Sequence, residues 1–299
     1  MRSRMMCCVL TLLLLSSCTT GSVETLSADG ETTAPISPME TEPVVVSDTD
    51  AIVYLSLGDS IARGYGLADV EGERFSTIAK AYWQAHGIGE VTVYNAGVDG
   101  QDLWGVLDTV NEKADPAWVS ADVVSVSMGA NHILSTVWSF LSTLSNGEVE
   151  DVSALCADFT DVVTEACTIL DAGLPLLIED IHEMAPDATI LFLTFYDPYG
   201  ALPTEIVVGD SVVLVDSLID AAVQQVNACI RSTAADYVQV VDVYAAFAGD
   251  TATLVCVETP ESCDPVAIDM GKMDPHPNAA GHKRIGELVG EAYLAALEK

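Results

Sequence analysis

Positive charge is scarce in this 299-residue sequence, in which 11 lysines and arginines stand against 45 aspartates and glutamates, a formal net charge of -34. An acidic surface repels phosphate backbones, so the composition argues against a nucleic-acid-binding protein. The sequence also lacks a basic patch for anionic lipid headgroups, so any membrane attachment has to be covalent or apolar. Half of the residues are apolar, which excludes a disordered chain and allows a large buried core.

The first 17 residues contain an apolar run that is shorter than a membrane-spanning segment. Residues 1–17 combine two arginines, the eleven-residue run Met5–Leu15 and two serines, which is the order of a secretory signal. Such a run is too short for a bilayer-spanning helix, which needs about 20 residues. The stretch Leu15-Ser16-Ser17-Cys18 resembles a bacterial lipoprotein signal, in which the cysteine carries lipid. The alternative is a non-lipidated signal cleaved nearby.

The next segment differs in composition from the rest. Residues 18–50 are rich in Ser, Thr, Pro and acidic residues and have no apolar period, so we expect an acidic, flexible tether. Residues 51–299 are then one folded domain. With Cys18 lipidated, the domain would be exported and anchored on the outer face of a bacterial membrane or envelope, with no other contact to the membrane.

No cysteine or histidine spacing typical of zinc occurs, and there is no Gly-rich phosphate loop, so we expect neither a metal nor an organic cofactor. Cys256 and Cys263 flank a short loop and are the best candidates for a disulfide. Cys156 and Cys167 can pair only if a turn separates them, because their eleven-residue offset is about 16 Å within one helix. Cys229 lies in a helical pattern and is expected to be a buried free thiol.

From residue 51 onward, short β-branched runs alternate with longer helical patterns. Runs that are apolar on both faces predict buried parallel strands: Ala51–Leu57, Val91–Asn95, Val123–Met128, Thr189–Phe195 and Tyr237–Val243. The predicted helices are Phe75–His86, Gln101–Lys113, Asn131–Ser145, Phe159–Met184, Asp216–Ala234 and Asn278–Leu297. This alternation predicts a three-layer α/β/α domain around a five-stranded parallel sheet.

Polar residues follow the strand ends, where open parallel sheets bind their ligands. Ser60 comes directly after the first predicted strand and is well placed as a nucleophile, and His276, before the last helix, can take its proton. The N–H of Ser60, the N–H of Gly97 and the amide of Asn131 are candidate donors to an oxyanion. No G-x-S-x-G motif occurs, which disfavours an α/β-hydrolase.

These blocks resemble the GDSL, or SGNH, family of esterases and lipases over most of residues 52–297. The resemblance implies a flavodoxin-like sheet in the order 2-1-3-4-5, with Ser60 as nucleophile, Gly97 and Asn131 as oxyanion donors and His276 as general base. It implies hydrolysis of carboxylic acyl esters, as small-molecule, lipid or glycan esters, through an acyl-enzyme. The alternatives are an O-deacetylase acting on cell-wall glycan or xylan, and a non-catalytic ligand-binding lipoprotein.

The sequence departs from the family pattern at two positions. His132 stands where an aspartate usually follows the asparagine, so the local hydrogen bonding must differ. Met273 stands where the family's acid usually lies, three residues before the histidine. Asp274, two residues before His276, is favoured as the group that orients the imidazole, with a backbone carbonyl as the alternative.

Several of these residues also have purely structural interpretations. Ser60 and Asn131 are both residue types that cap helices, and Gly97 can be a turn glycine. Asp59 is expected to bond the nearby loop backbone, and His282 to be a surface or packing residue. The apolar stretch 201–215 is open to two interpretations, an acyl-pocket wall or lid, and ordinary packing at the sheet edge.

Overall fold

The structure is a computed structural model. It describes residues 51–147, 149–202, 205–258 and 268–298. The predicted signal, the tether with Cys18, and Cys263 lie outside the described residues, so lipidation and the Cys256–Cys263 disulfide stay predictions. Cys256 itself is exposed.

Five parallel strands form the central sheet, and all five were predicted from the sequence. They are β1 (Ile52–Gly58), β2 (Val91–Gly97), β3 (Val123–Ser127), β4 (Thr189–Leu193) and β7 (Val238–Val241), and the hairpin strands β5 (Ile206–Val208) and β6 (Ser211–Val213) form a separate antiparallel pair. The order in the sheet is β2-β1-β3-β4-β7. This confirms the order implied by the family resemblance, because the hairpin lies outside the sheet.

The register brings three strand ends level with one another. Gly58, the last residue of β1, is paired with Gly97 of β2 on one side and with Ser127 of β3 on the other. The segments that leave these strands therefore start at one edge of the sheet, where a ligand can contact all of them.

Helices flank the sheet. The α-helices are α1 (Ser60–Arg63), α2 (Val70–Glu73), α3 (Phe75–Ala85), α4 (Leu103–Glu112), α5 (Leu134–Ser145), α6 (Val152–Met184), α7 (Val215–Arg231), α8 (Val243–Phe247), α9 (Thr251–Leu254) and α10 (Ala279–Leu297). Short 3₁₀ helices span Pro116–Ser120, Ala130–His132 and Met270–Lys272. None of the described helices combines the length and apolar character that crossing a membrane requires.

The core is continuous through the sheet. On one side the ring of Tyr54 from β1 meets Trp83 of α3 at 4.9 Å between centroids, and Trp83 meets Tyr293 of α10 at 5.0 Å. Elsewhere in the domain, α6 packs against α4, α5 and α7. All five residues of β3 are buried, as expected of a central parallel strand covered on both faces.

The long helix α6 begins seven residues before its predicted start at Phe159. Asp151 caps it, because its carboxylate accepts the backbone N–H groups of Ser153 and Ala154. Cys156 and Cys167 therefore lie in one uninterrupted helix, too far apart to pair with each other.

Cys229, on α7, is a buried free thiol, as predicted. Its Sγ lies 3.8 Å from the backbone carbonyl oxygen of Cys167 on α6.

His282 on α10 is fully buried, and neither of its ring nitrogens has a hydrogen-bond partner among the described residues. Its ring stacks on Phe75, with the centroids 6.2 Å apart. Burial, with a smaller contribution from His276, lowers the pKa of His282 to about 4 because it disfavours the charged imidazolium. Of the two roles expected for His282, surface or packing, the structure shows packing.

We expect His282 to weaken the fold in acid. The pKa of His282 is lower in the folded state than in the unfolded chain, where it is 6.5. Its contribution to stability is therefore lost as the pH falls from 6.5 toward the folded pKa of about 4. At pH 4.5 the free energy of unfolding should have dropped by about 2–3 kcal/mol through this group alone. The variant His282→Leu should lack that component. Urea unfolding of both proteins at pH 7.5 and 4.5 measures it, and a difference between them that does not change with pH would contradict the prediction.

Candidate active site

Ser60 lies at the turn from β1 into α1. Gly58 has φ +134°, and a Cβ there would lie 1.9 Å from the backbone oxygen of Ser127, so only glycine fits. Asp59 caps α1, because its Oδ1 accepts the N–H of Ile61 at 3.0 Å. This confirms the expected structural role of Asp59 and shows that Ser60 is not the cap. The hydroxyl of Ser60 is free to bond elsewhere.

The hydroxyl of Ser60 meets the imidazole of His276. Ser60 Oγ lies 2.9 Å from His276 Nε2, and His276 Nδ1 lies 2.5 Å from Asp274 Oδ1. The same Asp274 oxygen accepts the backbone N–H of His276 at 3.1 Å. The group hydrogen-bonded to His276 Nδ1 is therefore the side chain of Asp274 and not a backbone carbonyl. The hydrogen bond from His276 lowers the pKa of Asp274, so the carboxylate stays ionised at neutral pH.

Two buried tyrosines after β4 hold the loop that carries His276. Tyr196 Oη donates to the backbone oxygen of Pro275 at 2.7 Å, and Tyr199 Oη donates to that of Met273 at 3.2 Å. Burial raises the pKa of both phenols, so both stay protonated and able to donate. No local sequence pattern points to this role of the two tyrosines, because their partners lie 79 and 74 positions away along the chain.

Asn131 reaches the same edge of the sheet from a 3₁₀ turn after β3. The helix predicted to begin at Asn131 begins only at Leu134. Its amide Nδ2 donates to the backbone oxygen of Gln101 at 2.8 Å and lies 3.5 Å from Asp59 Oδ2. Burial raises the pKa of Asp59 to about 7 because water no longer stabilises its charge.

Gly97 does not present a free N–H. Its backbone N–H donates to Asn95 Oδ1 at 3.1 Å, and a Cβ at this position would lie 2.4 Å from the backbone nitrogen of Arg63. The glycine is needed for the close approach of β2 to α1. The N–H groups of Ser60 and of Gly100, three residues after Gly97, donate to no acceptor among the described residues.

We expect Gly97→Ala and Gly100→Ala to differ in stability. Alanine at 97 collides with the backbone of α1 and should cost about 3 kcal/mol, at the upper end of overpacking. At Gly100 there is open space around the missing Cβ, and the φ of +74° should cost about 1 kcal/mol. Denaturant unfolding of both variants checks this. Equal loss of stability would show that Gly97 is not sterically required.

A cleft of about 690 Å³ opens beside the histidine. Gly100, Asn131 and His276 line it, together with apolar side chains from Tyr65, Leu134, Trp138, Met270 and Pro275. The ring of Tyr65 lies 4.5 Å from that of His276, centroid to centroid. No described residue of 201–215 lines this cleft. Within this stretch, residues 206–213 form the hairpin β5–β6, in which Ile206, Val208 and Val213 are buried. This burial favours the interpretation of the stretch as ordinary packing.

Within the described residues, no group of three or more His, Cys, Asp or Glu side chains is arranged to hold a metal ion. The polar groups in and beside the cleft include the His276 imidazole with the Ser60 hydroxyl bonded to it, the Asp274 carboxylate, and N–H donors from Gly100 and Asn131. Together they can activate a hydroxyl nucleophile and stabilise a negatively charged oxygen.

Comparisons with known proteins concern the family and the fold of the chain. Residues 56–284 match the model of the GDSL-like Lipase/Acylhydrolase family, about three quarters of the chain. Among solved structures, the lipase Lip_vut3 from a goat rumen metagenome is similar with a TM-score of 0.60 at 18% identity, over 81% of this chain and 97% of that one. An extracellular lipase from Streptomyces rimosus has a TM-score of 0.54 at 22% identity, over 83% and 99%.

Phospholipase A1 from Streptomyces albidoflavus NA297 has a TM-score of 0.53 at 19% identity, over 83% of this chain and 99% of that one. At these identities, the likeness to solved structures concerns the fold. The comparison with curated protein sequences gives no match.

Proposed function

The chain belongs to the GDSL-like lipase/acylhydrolase family, and from that premise we propose that it is a serine esterase that hydrolyses carboxylic acyl esters through an acyl-enzyme on Ser60. The observation that carries the proposal is the 2.9 Å contact between Ser60 Oγ and His276 Nε2. A serine hydroxyl is a poor nucleophile until a base takes its proton, and this imidazole is within reach to do so.

The first half of the proposed reaction acylates Ser60. Its Oγ attacks the ester carbonyl carbon while its proton passes to His276 Nε2, and Asp274 stabilises the resulting imidazolium. When the tetrahedral intermediate collapses, Nε2 returns that proton to the departing alcohol. The acyl group stays on Ser60 as an ester.

The second half releases the acid. A water molecule attacks the acyl carbon, and His276 Nε2 takes the proton of this water. The collapse of the second tetrahedral intermediate breaks the bond to Ser60 Oγ, which recovers its proton from the imidazolium.

Each tetrahedral intermediate carries its negative charge on the former carbonyl oxygen. We assign the donors to this oxygen as the N–H of Ser60, the N–H of Gly100 and the amide of Asn131. Gly100 takes the place of Gly97, because the Gly97 N–H already donates to Asn95. One amide hydrogen of Asn131 can stay on Gln101, while the other leaves the long 3.5 Å contact with Asp59 for the oxyanion. Each donor is worth about 10²–10³ in rate.

The lining of the cleft favours an acyl chain over a purely polar substrate. Leu134, Trp138 and Met270 offer an apolar wall beside the histidine, and each buried methylene of a substrate contributes about 0.8 kcal/mol.

The second candidate function is an O-deacetylase acting on a glycan. The observation that favours it is the pair of partly exposed aromatic residues, Tyr65 and Trp138, since aromatic faces can pack against sugar rings. Pure binding needs no serine paired with a histidine, which disfavours the non-catalytic lipoprotein.

A chain-length series of nitrophenyl esters, from acetate to dodecanoate, separates the candidates. The esterase proposal expects the specificity constant to rise beyond acetate and to be lost in Ser60→Ala. Trp138→Ala should lower it about 10-fold for the longer esters and little for acetate. Release of acetate from acetylated xylan or peptidoglycan with poor activity on longer esters would favour the deacetylase. Equal, flat profiles for wild type and Ser60→Ala would remove the enzyme proposal.

For the location of the protein, we propose lipidation of Cys18 and anchoring outside the cell, on the basis of the sequence Leu15-Ser16-Ser17-Cys18 after an apolar run. Several acyl chains on one cysteine would hold the protein stably, because one chain alone gives only reversible binding. Fractionation of a bacterial host expressing the full chain tests this. Wild type should follow the membrane and incorporate labelled palmitate, and Cys18→Ala should do neither.

A further inference from the structure

The loop between β2 and α4 determines where two of the proposed oxyanion donors lie. Gly100 belongs to this loop and lines the cleft. The next residue, Gln101, accepts the amide of Asn131 on its backbone oxygen at 2.8 Å. A shift of this loop would therefore move the Gly100 N–H and release the Asn131 side chain at the same time.

Several hydrogen bonds of this segment join the loop to α4, besides those that Val98 and Asp99 make to β1 and α1. The side chain of Gln101 donates to the backbone of Gly105 at 2.9 Å, and Asp102 caps α4 by accepting the N–H of Gly105 at 2.9 Å. These bonds fix the loop to α4 but not to the turn that carries Asn131.

The bond that joins the start of α4 to that turn comes from His132. The backbone N–H of Leu103, the first residue of α4, donates to His132 Nε2 at 3.1 Å. Beside it runs the bond from Asn131 to Gln101. Two neighbouring residues of the turn thus hold Gln101 of the loop and Leu103 at the start of α4. We call this pair of bonds the 131–132 clasp.

The clasp requires a neutral imidazole. A ring nitrogen can accept the Leu103 N–H only through a free lone pair, so the proton of neutral His132 must sit on Nδ1. A protonated ring would place two donors and a positive charge against the positive end of α4. Burial lowers the pKa of His132 and so favours the neutral ring, while Asp102, the charged residue that acts on it, opposes this shift.

We propose that His132 is a positioning residue that holds the start of α4 against the Asn131 turn, and so sets the spacing of the Gly100 and Asn131 donors as long as its ring is neutral. The role rests on the proposed function of the site. An aspartate, the usual residue at this position of the family, could accept the same N–H without this requirement for a neutral ring.

The test compares His132→Leu, which cannot accept the bond, with His132→Gln, whose amide oxygen can accept at a similar reach and does not titrate. With a nitrophenyl ester, His132→Leu should lose about 10–100-fold in kcat with KM little changed, since small misplacement of catalytic groups is that costly. His132→Gln should recover most of this loss. Wild-type kcat in both variants would overturn the proposal.

The pH profile gives a readout that a merely structural role would not move. Protonation of His132 should add to the loss of activity in acid, so log kcat of wild type should fall more steeply with decreasing pH than log kcat of His132→Gln. The extra loss should approach the 10–100-fold expected for His132→Leu. Equal slopes in the two proteins would overturn the link to the charge of His132.

Hydrogen exchange at the Leu103 amide does not depend on turnover. It should be slow in wild type and in His132→Gln and fast in His132→Leu. Equal exchange in all three proteins would overturn the clasp, whatever the activity. A wild type that hydrolyses no ester but shows this exchange pattern would instead overturn the proposed function and keep the clasp.

Discussion

Replacing Ser60 with alanine is expected to lower kcat for ester hydrolysis by about 10⁵–10⁶-fold, the loss found when a serine hydrolase loses its nucleophile. Without Oγ no acyl-enzyme can form, although the oxyanion donors and the cleft remain. The fold should persist, because Asp59 and not Ser60 caps α1. Initial rates with a nitrophenyl ester measure the effect, together with thermal unfolding to show that the variant is folded.

The matched control is Ser135→Ala, since Ser135 lines the cleft beside His276 but makes no hydrogen bond to His276. It should keep kcat within about twofold of wild type, as expected for a side chain outside the reacting groups. If Ser60→Ala and Ser135→Ala were equally active, the nucleophile would have to be sought elsewhere.

Replacing Asp274 with asparagine is the change with the second largest expected effect. Asparagine keeps the shape but loses the charge that stabilises the imidazolium, and its amide can point an N–H₂ at Nδ1 and favour the wrong tautomer. In the chymotrypsin-type triad, the corresponding loss is about 10⁴ in kcat. The Asp274 side chain is 43% exposed, so solvent screens it more and we expect about 10²–10³.

Asp269→Asn is the control for this prediction, because Asp269 lies on the same segment and caps the short helix at Met270 by accepting the N–H of Gly271. An asparagine oxygen can accept that bond equally well. Its kcat should therefore match wild type. If Asp274→Asn also matched wild type, some other group would have to orient His276.

The strands were predictable because burial on both faces leaves a clear signal in the sequence. Every residue of β3 is apolar or a serine, and every one is buried. The hairpin was not predicted, because strands of three residues such as Ile206–Val208 are too short to show a period. The early start of α6 depends on a single capping residue, Asp151, in a segment without a strong apolar pattern.

The sequence alone does not decide which glycine, Gly97 or Gly100, offers its N–H to the oxyanion. Gly97 and Gly100 are three residues apart in one segment, and either could offer an N–H. The difference lies in their bonding, since β2 extends to Gly97, whose N–H goes to Asn95, while Gly100 turns with φ +74° into the cleft. Asn95, two residues before Gly97, is a local sequence signal that the Gly97 N–H is already bonded, since asparagine side chains often accept backbone N–H groups nearby.

The histidine loop shows the opposite case. The two-residue spacing between Asp274 and His276 departs from the family pattern, yet one carboxylate oxygen bonds both the backbone N–H and the ring of His276. A short local turn of this kind needs no distant contact, so the sequence could favour Asp274. The tyrosine hydroxyls that hold the loop come from distant positions, which the sequence pattern does not encode.

Covalent labelling of Ser60 tests the central claim most directly. The folded wild-type protein treated with a fluorophosphonate should gain one adduct per chain by intact mass, and peptide mapping should place it on Ser60. His276→Ala should label much more slowly, since the hydroxyl then has no base, and Ser60→Ala should stay unlabelled. A folded wild type that takes up no label, or an adduct that persists in Ser60→Ala, would contradict the account.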